Sequence, residues 1–213
     1  MDARFRDVLA AYDARARREA EIWDRTPPEQ LLARRDDFLL HVGSEVGFFM
    51  HALAIARRAK RIVEIGTSYG YSTLFLADAA RSTGGRVTTI DLAAAKQAYA
   101  RGELERAGVA DSVDWITGDA LEALNHIEGP IDFVLLDAWK EIYIPCFELL
   151  LPKLVENAVI VADNMIEPAI VRPLASRYRK VVRQIPWMQS VLLPIGQGIE
   201  LTCVWRNAPH EHS

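Results

Sequence analysis

The sequence predicts an α/β fold built on a doubly wound, mostly parallel sheet, and three observations carry that prediction. From residue 61 onward, short β-branched runs alternate with helical stretches, the pattern of a parallel sheet covered on both faces. In the first of these units, Ile62, Val63 and Ile65 are followed by Gly66 and Gly70, and Ser72 to Ala77 resumes with helical character. Near the end of the chain, apolar runs at 191–195 and 199–205 flank Gly196-Gln197-Gly198. That reads as a hairpin adding an antiparallel strand at one side of the sheet.

The elements follow in order. Residues 2–24 carry many Ala, Arg and Glu with apolar Phe5, Val8, Leu9, Tyr12, Ile22 and Trp23, which predicts an amphipathic helix outside the α/β repeat. Its expected role is a lid or a homodimer contact. Thr26-Pro27-Pro28-Glu29 starts a second helix that Leu31 to Leu40 would continue. Ser44 is a candidate N-cap for a third helix through Arg58, closed by Arg57, Arg58 and Lys60 as the macrodipole prefers. Strands are expected at 61–65, 86–91, 112–117, 131–137 and 158–163. Helices are expected from the glycine turn to Arg81, over 93–107, from Asp119 to about Ile127, and near 168–179. A further helix after residue 137 would be interrupted by Pro145 and Pro152. One domain over 1–213 results, with N-terminal helices through 58 and the sheet core at 59–206.

Composition narrows the function. Half of the 213 residues are hydrophobic, a quarter are charged, and the formal net charge is −4, so nothing invites a polyanion partner. Cys146 and Cys203 both lie in apolar runs and read as reduced core residues. No apolar run reaches the ~18 residues of a membrane span and no signal-peptide pattern opens the chain, so the expected location is cytoplasmic. The five histidines, His41, His51, His126, His210 and His212, form no ligand cluster by spacing.

Strand, glycine turn and helix together hold nucleotide-like ligands at a helix N-terminus. The spacing here is Gly66-x-x-x-Gly70, not the Gly-x-Gly-x-x-Gly of dinucleotide enzymes, and Glu64 stands two residues before the first glycine. A diphosphate would meet that carboxylate. A ligand carrying a cation would not, which favours S-adenosylmethionine (SAM) over NAD. Acids also collect at the strand ends: Glu64, Asp91, Asp119, Asp137 and Asp163. One acid at a strand end is usually a helix cap; five at one face of an open sheet point to a ligand cleft. Asp91 lies about 20 residues past the turn, where an acid takes ribose hydroxyls. Asp119 would approach the adenine end, with Ala120 leaving room. Asp137, Asp163 and Asn164 form an all-oxygen set suited to a hard divalent ion.

The stretch Leu135-Leu136-Asp137-Ala138-Trp139-Lys140-Glu141-Ile142-Tyr143, followed by Ala162-Asp163-Asn164-Met165, resembles the small-molecule O-methyltransferases of the catechol and caffeoyl-CoA type. Val42-Gly43-x-x-x-Gly47 and Glu64-Ile65-Gly66-x-x-x-Gly70-Tyr71-Ser72 fit the same pattern, and the likeness runs from about 38 to 205. The resemblance implies a Rossmann-like methyltransferase core with SAM as methyl donor. It also implies Mg²⁺ or another divalent cation on Asp137, Asp163 and Asn164, and Lys140 as the base beside the substrate hydroxyl. Trp139 would pack on the adenine and Asp91 would hold the ribose. Glu64, Gly66, Ser68 and Ser72 would hold the methionine part, and Val42 would line the entrance. Two departures bear on the acceptor. Trp187 to Val191 offers no carboxylate where catechol enzymes place a late glutamate, and the caffeoyl-CoA type has an Asp where Trp139 stands.

The expected acceptor is a small-molecule hydroxyl, a catechol-like vicinal diol. The alternatives are a metal-independent methyltransferase, in which Asp137 and Asp163 are only caps, and a non-catalytic SAM-binding protein. A nucleic-acid methyltransferase acting on base amines would carry Asn/Asp-Pro-Pro-aromatic after the fourth strand. That place reads Asp137-Ala138-Trp139-Lys140.

Overall fold

The structure is a computed structural model and describes residues 1–205. Residues 206–213, with His210, His212 and the predicted end of the core at 206, lie outside the described residues. The elements in chain order are α1 (Ala3–Arg25), α2 (Pro28–Arg34), α3 (Ser44–Arg57), β1 (Arg61–Ile65), α4 (Tyr71–Thr83), β2 (Arg86–Asp91) and α5 (Ala94–Ala107). They continue with β3 (Val113–Thr117), α6 (Ala120–His126), β4 (Ile131–Leu136), α7 (Tyr143–Leu150), β5 (Leu154–Ala162), α8 (Arg172–Arg183), β6 (Met188–Leu193) and β7 (Ile199–Val204).

One seven-stranded sheet runs in the order β3-β2-β1-β4-β5-β7-β6. β1 to β5 are parallel, and β7 inserts antiparallel between β5 and β6. The predicted antiparallel strand is therefore internal, and β6 forms the edge. The winding reverses between β1 and β4, the switch point beyond whose carboxyl ends open α/β sheets bind their ligands. Alternation along β1 sends Ile62 and Glu64 to the face covered by α3, α4 and α5, and Val63 and Ile65 to the face covered by α6, α7 and α8. Each face holds its own apolar core.

Several elements depart from the sequence expectation. The second helix stops at Arg34, with a 3₁₀ turn at Arg35–Asp37, because Phe38 and Leu39 must both turn inward and are buried. Gly43, not Ser44, occupies the N-cap of α3; its φ of 84° is one a serine would adopt only with strain. Pro145 does not interrupt a helix. It sits in the first turn of α7, whose N–H groups lack helical partners anyway. β5 begins at Leu154 instead of 158, and α8 lies four residues later than expected.

The apolar face of α1 finds its partner within the chain: Phe5, Val8, Leu9 and Tyr12 are buried against α4 and α5, so this face is not free to meet a second subunit. A second subunit would have to dock elsewhere. Phe5 meets Phe75 edge-on with ring centres 5.4 Å apart. Burying such side chains contributes about 1.5–3 kcal/mol each, so together they approach the net stability of a whole domain, about 5–15 kcal/mol. A chain starting at residue 26 should accordingly lose its cooperative thermal transition by circular dichroism. A transition within a few degrees of the parent's would show that α1 is dispensable.

Candidate active site

The turn after β1 is braced from every side. Gly66 and Thr67 donate backbone N–H to Ile90 O at 2.9 and 3.3 Å, and Ser68 N–H donates to Asp91 Oδ2 at 2.7 Å. The other oxygen of Asp91 accepts Ala93 N–H at 2.8 Å, so this carboxylate ties the turn to the start of α5. Gly66 has φ 102°, and a Cβ there would fall inside the envelope of the Asp137 carbonyl oxygen. At Gly70 a Cβ would stand 2.6 Å from Ala100 Cβ. Only glycine allows this turn to sit between β4 and α5. Tyr12 of α1 donates its hydroxyl to Tyr69 O at 2.6 Å, a support that no pattern in the chain announces.

Glu64 is fully buried behind the turn instead of exposed on it. Its Oε1 accepts the Ser72 hydroxyl, and its Oε2 accepts those of Thr73 and Thr89, each at 2.6 Å. Burial pushes its pKa up to about 7 against the pull of those three donors. Ser72, expected beside the cofactor, is thus oriented by Glu64. Val42 is buried at the N-terminal end of α3, its carbonyl facing the hairpin turn at Gly196. Asp119 caps α6, with Oδ1 accepting Leu121 and Glu122 N–H at 2.8 and 3.0 Å. Asp119 itself is exposed, and Ala120 begins the helix buried.

Asp137 and Asp163 follow paired strands: Leu136 is in register with Ala162, and Asp163 N–H donates to Leu136 O at 3.0 Å. Burial raises the pKa of both carboxyls, helped by the Asp91 charge at Asp137 and by the Asp137 charge at Asp163, although Lys140 opposes this. Asp163 Oδ1 is buried with no hydrogen-bond partner. Among the described residues the other such side-chain atoms, Tyr178 Oη, Arg179 Nε and Glu200 Oε2, lie on α8 and β7. Asn164 adopts φ 52°, the left-handed conformation asparagine tolerates, and turns the chain directly after Asp163. No group of three or more His, Cys, Asp or Glu with metal-holding geometry occurs among the described residues. The set here is two carboxylates and an amide. An orphaned buried oxygen, two crowded carboxylates and an adjacent amide oxygen fit a hard divalent cation.

Lys140 is buried, and its Nζ donates to Tyr143 Oη at 2.6 Å. Ala138 O and Asn164 Oδ1 lie farther off, at 3.4 and 3.5 Å. Burial lowers its pKa to about 8, with Asp137, Asp163 and Glu141 pulling the other way. Tyr143 was missed as a site residue. Its hydroxyl donates to Leu136 O at 2.7 Å, which leaves an oxygen lone pair for the lysine. The only signal was its position three residues after Lys140 on one helical turn. Trp139 stands half-exposed, before the 3₁₀ turn that carries Lys140.

The O-methyltransferase family model matches residues 30–204. The chain belongs to the O-methyltransferase family. A catechol O-methyltransferase of Mycobacterium tuberculosis is 40% identical over 126 residues, which cover 59% of this chain and 57% of that protein. The match thus takes in under two thirds of that relative's length. An O-methyltransferase from Bacillus cereus, solved in complex with SAH, is 26% identical, covers 96% of this chain and 91% of its own, and superposes with TM-score 0.74. TomG of Streptomyces achromogenes, an O-methyltransferase of tomaymycin synthesis solved with SAM, gives 27% identity, 96% and 91% coverage and TM-score 0.72. No helix among the described residues is long and apolar enough to cross a membrane.

Proposed function

We propose that this chain transfers a methyl group from SAM to one hydroxyl of a small vicinal diol of catechol type, with a divalent cation such as Mg²⁺ held by Asp137, Asp163 and Asn164. The observation that carries this reading is the meeting of a buried lysine with two crowded carboxylates directly beyond a glycine turn. The similarity to a catechol O-methyltransferase and the SAM and SAH complexes of the structural neighbours support it.

Methyl transfer from a sulfonium is an in-line displacement, so the protein's task is to align oxygen, methyl and sulfur. Asp91 accepts the ribose hydroxyls, Ser68 and Ser72 flank the methionine part, and Trp139 lies on the adenine. Glu64 contributes negative charge behind the turn, which favours a sulfonium and disfavours a diphosphate. A cation held by Asp137, Asp163 and Asn164 would supply Lewis acidity that makes the acceptor hydroxyls more acidic. Lys140 takes the proton at Nζ. A neutral amine has two N–H groups and one lone pair; the N–H groups face Tyr143 Oη and the Ala138 and Asn164 oxygens, which leaves the lone pair for the hydroxyl.

The test is titration calorimetry with SAH, the demethylated product. The parent should bind, and Asp91→Ala should weaken binding by about tenfold or more, the scale of losing charge-assisted hydrogen bonds. Unchanged affinity would remove Asp91 from the site.

A further inference from the structure

Gln97 lies on α5 in the stripe that also holds Ala100, Leu104 and Ala107, all buried. A primary amide in an apolar stripe needs polar partners, and both N–H groups and the carbonyl oxygen of this one have them. Nε2 donates to Ile116 O and to Thr67 Oγ1, both at 3.0 Å, and Oε1 accepts the Thr117 hydroxyl at 2.6 Å. The orientation follows from chemistry: a backbone carbonyl can only accept, so the nitrogen must face Ile116.

That choice sets the direction of a longer chain. Thr89 donates its one hydrogen to Glu64 Oε2 at 2.6 Å, so Thr67, which accepts from Gln97, donates its own hydrogen to Thr89 Oγ1 at 2.6 Å. Thr67 lies between Gly66 and Ser68 in the turn beside β1. Thr117 and Ile116 end β3, just before Gly118 and Asp119. One side chain therefore joins the two loops that flank the proposed cofactor cleft.

We infer that Gln97 is a positioning residue for the cofactor, fixing the methionine-side turn relative to the adenine-side loop without touching the ligand. The inference rests on the SAM reading above. Gln97→Met keeps the length and apolar packing of the side chain but leaves Thr67, Thr117 and Ile116 without their partner. Its KM for SAM and Kd for SAH should rise about tenfold, while kcat and the acceptor KM stay within about twofold. Thr117→Val should raise the Kd about threefold in the parent and have no further effect in Gln97→Met, since it acts through the same amide. Leu104→Ala on the same helix, which only leaves a cavity, should lower the melting temperature without changing the Kd.

A parent that fails to bind SAH overturns the cofactor reading and this inference together. If the parent binds, an unchanged Kd in Gln97→Met overturns the inference alone. So does an equal rise in Leu104→Ala, or full additivity of the Thr117 and Gln97 changes. If Gln97→Met does not fold, the decision rests on Thr117→Val against Leu104→Ala, and a Kd unmoved by Thr117→Val rejects the inference.

Discussion

Lys140→Met should cut kcat by roughly a hundredfold or more, the scale of losing a general base, while SAH affinity changes little. The argument is local. Burial holds the amine near pKa 8, so an appreciable fraction is neutral at neutral pH, whereas a solvated lysine would be almost wholly protonated. Methionine keeps an unbranched chain as far as Cε, with sulfur in place of Cδ, and removes the amine nitrogen. The loss should also appear in kcat/KM, because proton removal belongs to the transition state and not to ground-state binding. A Lys140→Met enzyme as fast as the parent at neutral pH would remove Lys140 from the chemistry and leave it as a buried partner of Tyr143.

Gly66→Ala should be equally damaging, for a geometric reason. The new methyl group would have to displace the Asp137 backbone, and alanine is strained at φ 102°. Strain and overpacking together should cost about 3 kcal/mol or more, which lowers the melting temperature by roughly 6–12 °C for a domain of this size. Since the displaced residue is Asp137, turnover should fall by at least about a hundredfold, as expected for a misplacement of about 1 Å. Activity and melting temperature both near the parent's would mean that the turn and β4 do not meet this tightly.

The sheet was legible because its strands are short β-branched runs punctuated by glycine and acid, a pattern that local chemistry writes directly into the chain. Its failures have physical causes. The start of β5 was hidden because Glu156 and Asn157 are exposed and Asn157 takes φ 60°, so half the strand lacks a buried pattern. The N-terminal helix showed its apolar face but not the surface it covers, because amphipathicity names no partner. Asp137, Asp163, Asn164 and Lys140 were proposed from the resemblance and from strand-end chemistry, and the fold brings them to neighbouring strand ends. The support behind them was harder to read. Alternation along β1 puts Glu64 on the same face as Ile62, which signals an inward carboxylate. Gln97 in register with Ala100, Leu104 and Ala107 is a comparable signal. Tyr12 and Tyr143 act through hydroxyls whose partners are backbone carbonyls, and no side-chain pattern marks those in advance.

The central claim is that two adjacent strand ends hold a divalent cation that turnover requires. Radiolabelled methyl transfer from SAM to catechol, measured in EDTA and again after excess Mg²⁺, tests it most directly. Turnover should vanish in EDTA and return with Mg²⁺, and Asp163→Ala should not be rescued. Full activity in EDTA would contradict the claim and reduce Asp137 and Asp163 to structural carboxylates.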